Sequence, residues 1–212
     1  MYKRKLKKIF INTALRCCVF MSAILFCIID VKASDGYVCD HGYHTFGDYT
    51  LNGGVGNYGY TRRYYWISNL DDDYCGYVND AVDLWVNTDI FTPIAIQETS
   101  VQSDSSFDIY EEYLGRGVLG MTLFWRYDNS IDITSDGALS ENYGWTQIKL
   151  SSSVMNGQSD EQKIATIEHE FGHAMGLSHN SVGYSIMCQL GDGRYATSPS
   201  DEDLYAINHL YE

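Results

Sequence analysis

Residues 169–179 read His-Glu-Phe-Gly-His-Ala-Met-Gly-Leu-Ser-His and hold three of the chain's six histidines. In a helix, His169 and His173 fall one turn apart on the same face, so two imidazole nitrogens can reach one cation from a rigid backbone. Glu170 follows the first histidine directly and projects beside such a cation, where a carboxylate can act as a base. A catalytic zinc site requires three protein ligands and one open position for water. His179 can supply the third ligand only if the chain leaves the helix after His173 and turns back. Gly176 permits that turn, because without a Cβ it tolerates positive φ. The spacing therefore encodes three zinc ligands (His169, His173 and His179), a general base (Glu170) and a bend. The chemistry such a set performs is metal-assisted hydrolysis.

The elements that must hold these residues are also readable. Ser159-Asp160-Glu161-Gln162 is a helix start with a Ser N-cap, acidic first-turn residues and Gln at the capping-box position. The helix it opens buries Ile164, Ile167, Phe171 and Ala174/Met175 on one stripe and turns His169 and His173 to a cleft on the other. Ser200-Asp201-Glu202-Asp203 opens a final helix that runs to Tyr211. Upstream, residues 61–68 suit a first strand, and Asn69 to Asp73 a turn and an acidic helix entry. Val78, Ala81, Val82, Trp85 and Val86 then mark a helix over 74–88. Further strands are expected from Pro93, over 107–110, over 117–125 and over 145–150. Strand–helix–strand at this spacing points to a right-handed crossover and a mainly parallel sheet. Residues 127–143 read as an acidic surface loop, with calcium on Asp128, Asp132, Asp136 and Glu141 as the alternative.

The central stretch fits H-E-x-x-H-x-x-G-x-x-H, and Ser185-Ile186-Met187 follows His179 after a short loop. In both features the chain resembles the metzincin clan of zinc endopeptidases. His-Glu-Phe-Gly-His-Ala followed by Gly-Leu is most similar to the matrixin branch and its small bacterial relatives. Asp203, Ile207, Leu210 and Tyr211 resemble matrixin ends. The likeness runs from about Thr61 to the C-terminus and is sharp between Glu168 and Met187. It implies an α/β (α+β) metzincin-like domain. The sheet would be twisted, mostly parallel and five-stranded with an antiparallel edge strand, joined by a backing helix, an active-site helix and a C-terminal helix. It also implies one catalytic zinc, Met187 packed beneath the metal without ligating it, and a loop over 191–195 bordering the specificity pocket. Residues 117–125 would be the edge strand, to which an extended peptide adds by main-chain hydrogen bonds. The chain departs from the clan at Gln189, where some members place a metal-partner Tyr. Residues 127–143 lack the histidines of a structural zinc, so that second zinc is not expected there. No Pro-Arg-Cys-Gly-type segment precedes Thr61. The implied function is a secreted zinc endopeptidase with Glu170 as general base. The alternative is a zinc-bearing protein that grips peptides without turnover, which the presence of Glu170 argues against.

The rest of the chain bounds these readings. Lys3, Arg4, Lys5, Lys7 and Lys8, an apolar run to Ile29 and Val31-Lys32-Ala33 read as a signal peptide over 1–33. The uncharged run is shorter than the roughly 18–20 residues that span a bilayer. Secretion without membrane anchoring is expected, followed by an extension over 34–60 and the peptidase domain over 61–212. Of 14 Lys and Arg and 28 Asp and Glu, the signal holds seven and one. The remainder carries 7 basic against 27 acidic side chains, a formal charge near −20. Such a surface repels nucleic acid and anionic membranes; a monomer is expected. Cys39, Cys75 and Cys188 lie beyond the signal, with Cys39–Cys75 the favoured pair. Cys39, His41 and His44 fit no zinc spacing well, so a solvated lead-in is the expectation for their segment.

Overall fold

The computed structural model describes residues 36–212 except Arg62. The expected signal peptide lies outside these residues. In chain order the elements are β1 (Arg63–Ile67), α1 (Asp72–Val86), β2 (Ile96–Glu98), β3 (Phe107–Glu111), β4 (Gly120–Arg126), β5 (Asn129–Ile131) and β6 (Trp145–Leu150). Three helices follow: α2 (Ser152–Met155), α3 (Asp160–Ala174) and α4 (Asp201–Tyr211). The helix starts are those the sequence encodes. Asp71 accepts from the Tyr74 N–H at the head of α1, so the acidic run acts as a cap. Ser159 with Gln162 and Ser200 with Asp203 form capping boxes on α3 and α4.

The sheet order is β2-β1-β3-β6-β4-β5. The first four strands are parallel, β4 runs antiparallel to β6, and β5 runs antiparallel to β4. The sheet is thus mostly parallel, with six strands where five were expected. The addition is β5, inside the stretch read as a loop. It has a single buried apolar residue, Ile131, and follows a two-residue hairpin turn in which Tyr127 takes φ +53°. So short and polar a strand carries no period-2 signal of its own. β2 starts at Ile96 rather than Pro93; Pro93 has no N–H for a ladder, and the Ala95 N–H donates to the Val55 carbonyl instead.

Val78, Val82 and Trp85 of α1 pack with Ile167 and Phe171 of α3 and with Phe107, Ile109 and Ile148 of the sheet. Each side chain of this kind contributes about 1.5–3 kcal/mol on burial. Trp85 Nε1–H donates to the Glu168 carbonyl at 3.0 Å, so α1 braces the helix that carries the histidines. The segment before β1 is not a solvated lead-in. Phe46, Leu51 and Val55 are buried, and Thr45 and Leu51 make backbone bridges to Leu177 and Tyr143. Its glycines let the chain bend while its apolar residues find the core.

One further expectation is corrected and one alternative loses its ground. Cys39, Cys75 and Cys188 are all free. Cys39 faces His209 of α4 (Sγ–Nε2 3.7 Å), whereas the Cys75 thiol lies against the Leu70 carbonyl on α1, so the expected bridge does not form. In the acidic stretch, Asp136 is engaged by Thr134 and Glu141 by Arg126. Among the described residues, neither grouping of three or more metal-capable side chains includes a residue of this stretch, and calcium there finds no support.

Candidate metal and catalytic site

α3 presents His169 and His173 one turn apart and ends at Ala174. Its end is a Schellman motif: the Gly176 N–H donates to the His173 carbonyl (2.8 Å) and the Leu177 N–H to the Gly172 carbonyl (3.0 Å), with Gly176 at φ +103°. The chain then turns back, pairs Leu177 with Thr45, and delivers His179 to the other two histidines. His173 Nε2 and His179 Nε2 lie 3.1 Å apart, and the ligand atoms of all three residues lie within 4.8 Å of one another.

The tautomers follow from the partners. His169 Nδ1 meets the Ile186 carbonyl and His173 Nδ1 the Leu177 carbonyl, each at 2.8 Å. A carbonyl can only accept, so both Nδ1 atoms carry the proton and both Nε2 lone pairs are free to bind a cation. Nitrogen ligands at about 2.0–2.1 Å in a tetrahedral shell stand roughly 3.3–3.4 Å from each other, close to the 3.1 Å between His173 Nε2 and His179 Nε2. The three imidazoles therefore fit a zinc ion. Burial drives all three toward the neutral, ligating form. It holds His169 well below its ordinary range, pushes His173 down to about 3 with help from His179, and lowers His179.

Glu170 is buried beside them, under β4. Its Oε2 accepts from the Thr122 hydroxyl at 2.8 Å. Gly120 lets the strand come so near that a Cβ there would stand 2.6 Å from Glu170 Oε1. Burial raises the Glu170 pKa to about 7, against the opposing Thr122 hydrogen bond and Arg194 charge. Glu168, one residue before the first histidine, is fully buried with no hydrogen bond to either carboxylate oxygen among the described residues, and burial raises it to about 9.

Beneath the histidines runs Ser185-Ile186-Met187. Met187 packs against Gly172, where a Cβ would meet its Sδ at 2.2 Å; Gly172 is what lets the methionine lie under α3. Asp203 of α4 anchors this turn by accepting from Ser185 Oγ (2.6 Å) and the Ile186 N–H (3.0 Å). Gln189 sits beside the His179 ring, its amide 3.1 Å from Nε2. The buried Arg194 donates to Thr166 Oγ1 at 3.1 Å. Sequence spacing brought out His169, Glu170, His173 and His179, and the resemblance brought out Met187. It missed Thr122, Gly172, Arg194 and the anchoring by Asp203; the first is signalled only by the alternation of β4.

A cleft of about 730 Å³ opens over the site, lined by residues 117–122 on one side and by Leu190 and Gly191 on the other. β5 pairs only with Phe124, Trp125 and Arg126, so Gly120 to Leu123 keep their outer edge unpaired among the described residues. An antiparallel strand over a helix bearing a carboxylate and converging imidazoles defines a metallopeptidase catalytic domain. The chain belongs to the matrixin family of zinc metallopeptidases: the matrixin sequence model matches residues 88–212, with β1, α1 and the preceding segment outside the match. A comparison with curated proteins found no match.

Proposed function

We propose that the protein is a secreted zinc endopeptidase in which His169, His173 and His179 hold the metal and Glu170 is the general base. The observation that carries this reading is the convergence of lone-pair Nε2 atoms, oriented by carbonyls behind them, next to a buried carboxylate at the floor of an open cleft. Zinc, when bound there, lowers the pKa of its water to about 7 and polarises a substrate carbonyl. Glu170 would take a proton from the attacking water on a carboxylate oxygen and return it to the nitrogen of the leaving amine. Thr122 fixes the carboxylate's orientation, and the walls around it keep bulk water from competing for the proton. The unpaired edge of β4 from Gly120 to Leu123 receives an extended peptide by main-chain hydrogen bonds, which recognises backbone more than side chains. Met187 supports the site by packing. The chain acts as a monomer, and secretion is supported by the basic and apolar N-terminus followed by the strongly acidic remainder.

The test is zinc content and casein or gelatin cleavage by the purified protein beside Glu170→Gln. One zinc at the three histidines is expected in both, with activity reduced by about 10²–10⁴ in the variant. Near-normal turnover by Glu170→Gln would remove that residue from the chemistry. Zinc retained without cleavage of any substrate would favour the peptide-gripping alternative.

A further inference from the structure

A second set of metal-capable side chains lies away from the cleft, at the junction of the N-terminal segment and the last turn of α4. Cys39, His41, Asp48 and His209 each offer a ligand atom, and these four atoms all lie within 4.8 Å of one another. His209 Nε2 is 3.7 Å from Cys39 Sγ and 3.3 Å from Asp48 Oδ1. Residues separated by 170 and 161 positions are thus focused on one ring nitrogen. The rings of His41 and His209 are 4.6 Å apart, and Tyr43 stacks on His209 at 4.8 Å and 25°, fixing its plane. Cys39 and His41 are held by a tight turn in which the Cys39 N–H donates to the Tyr43 carbonyl and the Gly42 N–H to the Cys39 carbonyl. His44, which sequence spacing groups with them, points elsewhere, its Nδ1 2.9 Å from the His179 carbonyl.

We propose that Cys39, His41, Asp48 and His209 form a second, structural zinc site. One thiolate, two imidazoles and one carboxylate are four zinc donors, enough to close a tetrahedral shell with no position left for substrate. The soft thiolate selects zinc over magnesium or calcium. A thiolate and a carboxylate neutralise the divalent ion, and the Cys39 thiol proton goes to solvent on binding. The C-terminal end of α4 also favours a cation, because its last carbonyls carry partial negative charge. The ion clips the N-terminal segment to α4. That segment reaches the His179 carbonyl through His44 and pairs Thr45 with Leu177, so the clip steadies the loop that delivers His179. The site is independent of the reading of the cleft, since the two share no ligand.

The experiment is titration of the metal-stripped full chain with Co²⁺, reading stoichiometry and the near-ultraviolet thiolate-to-cobalt charge-transfer band. Two ions per chain and a thiolate band are expected. Cys39→Ala should bind one ion and lose the band, while His173→Ala should bind one ion and keep it. Asp48 is exposed, so Asp48→Asn tests the site without disturbing the core. Loss of a mere supporting partner weakens metal sites by roughly 10–100-fold, and the second equivalent should weaken by at least that much. A wild-type chain that takes up Co²⁺ without a thiolate band, a band that survives Cys39→Ala, or unchanged affinity in Asp48→Asn would overturn the proposal.

Discussion

The histidines of the cleft are neutral because they are buried, and the same burial makes the neighbouring carboxylates hold protons. These two effects oppose each other in pH, which makes them separable in the metal-free protein. Below the ordinary histidine value of 6.5, an unfolded chain takes up protons on His169, His173 and His179 that the folded chain refuses, down to about 3 at His173. Stability is therefore present above pH 6.5 and lost as the pH falls toward 3. Glu170, raised to about 7, and Glu168, raised to about 9, partly offset that loss down to their ordinary value of 4.5. Above 6.5 the sign reverses: the folded protein keeps a proton on Glu168 that the unfolded chain has released, and stability declines through about 9. The melting temperature of the chelated protein should peak near pH 6.5. Glu168→Gln should flatten the alkaline side and, by removing one of the two offsets, steepen the fall between pH 6.5 and 4.5; an unchanged alkaline slope would refute the assignment.

Between α3 and α4 the coupling runs through one carboxylate. Asp203 closes the capping box of its own helix and holds Ser185 and the Ile186 N–H, and Ile186 in turn supplies the carbonyl that orients His169. A helix start and a metal ligand are therefore linked by three successive hydrogen bonds. Asp203→Asn replaces one acceptor oxygen by a donor facing an N–H or hydroxyl. The expected loss is about 2–3 kcal/mol, from a buried charge-assisted bond and a weakened cap. Urea denaturation measures it, and peptidase activity should fall with it because the His169 ring loses its support. A loss under about 0.5 kcal/mol would show that the turn holds itself.

For the whole molecule, the decisive contacts join chain regions far apart in sequence. Phe46 packs edge-on to Phe124 and stands 5.5 Å from the His173 ring, which makes the N-terminal segment a wall of the site. Phe46→Ala should cost about 3–5 kcal/mol as a buried aromatic truncation. A segment merely laid on the surface would cost almost nothing, so chemical denaturation of this variant decides between the two.

The local features are legible in the amino-acid sequence: the capped starts of α1, α3 and α4, the β6 alternation, the one-turn spacing of His169 and His173, and the bend at Gly176. These depend on backbone preference and near-neighbour periodicity, which adjacent residues carry within themselves. The packed fold alone brings Thr122 to Glu170, Met187 under Gly172, and Cys39 to His209 rather than to Cys75. It also decided that Asn129–Ile131 pairs as a strand. Each of these is a contact between residues whose separation along the chain leaves no periodic trace. Their partners are chosen by the shape of the packed core and the hydrogen-bonding needs of buried groups, neither of which exists until the chain has folded.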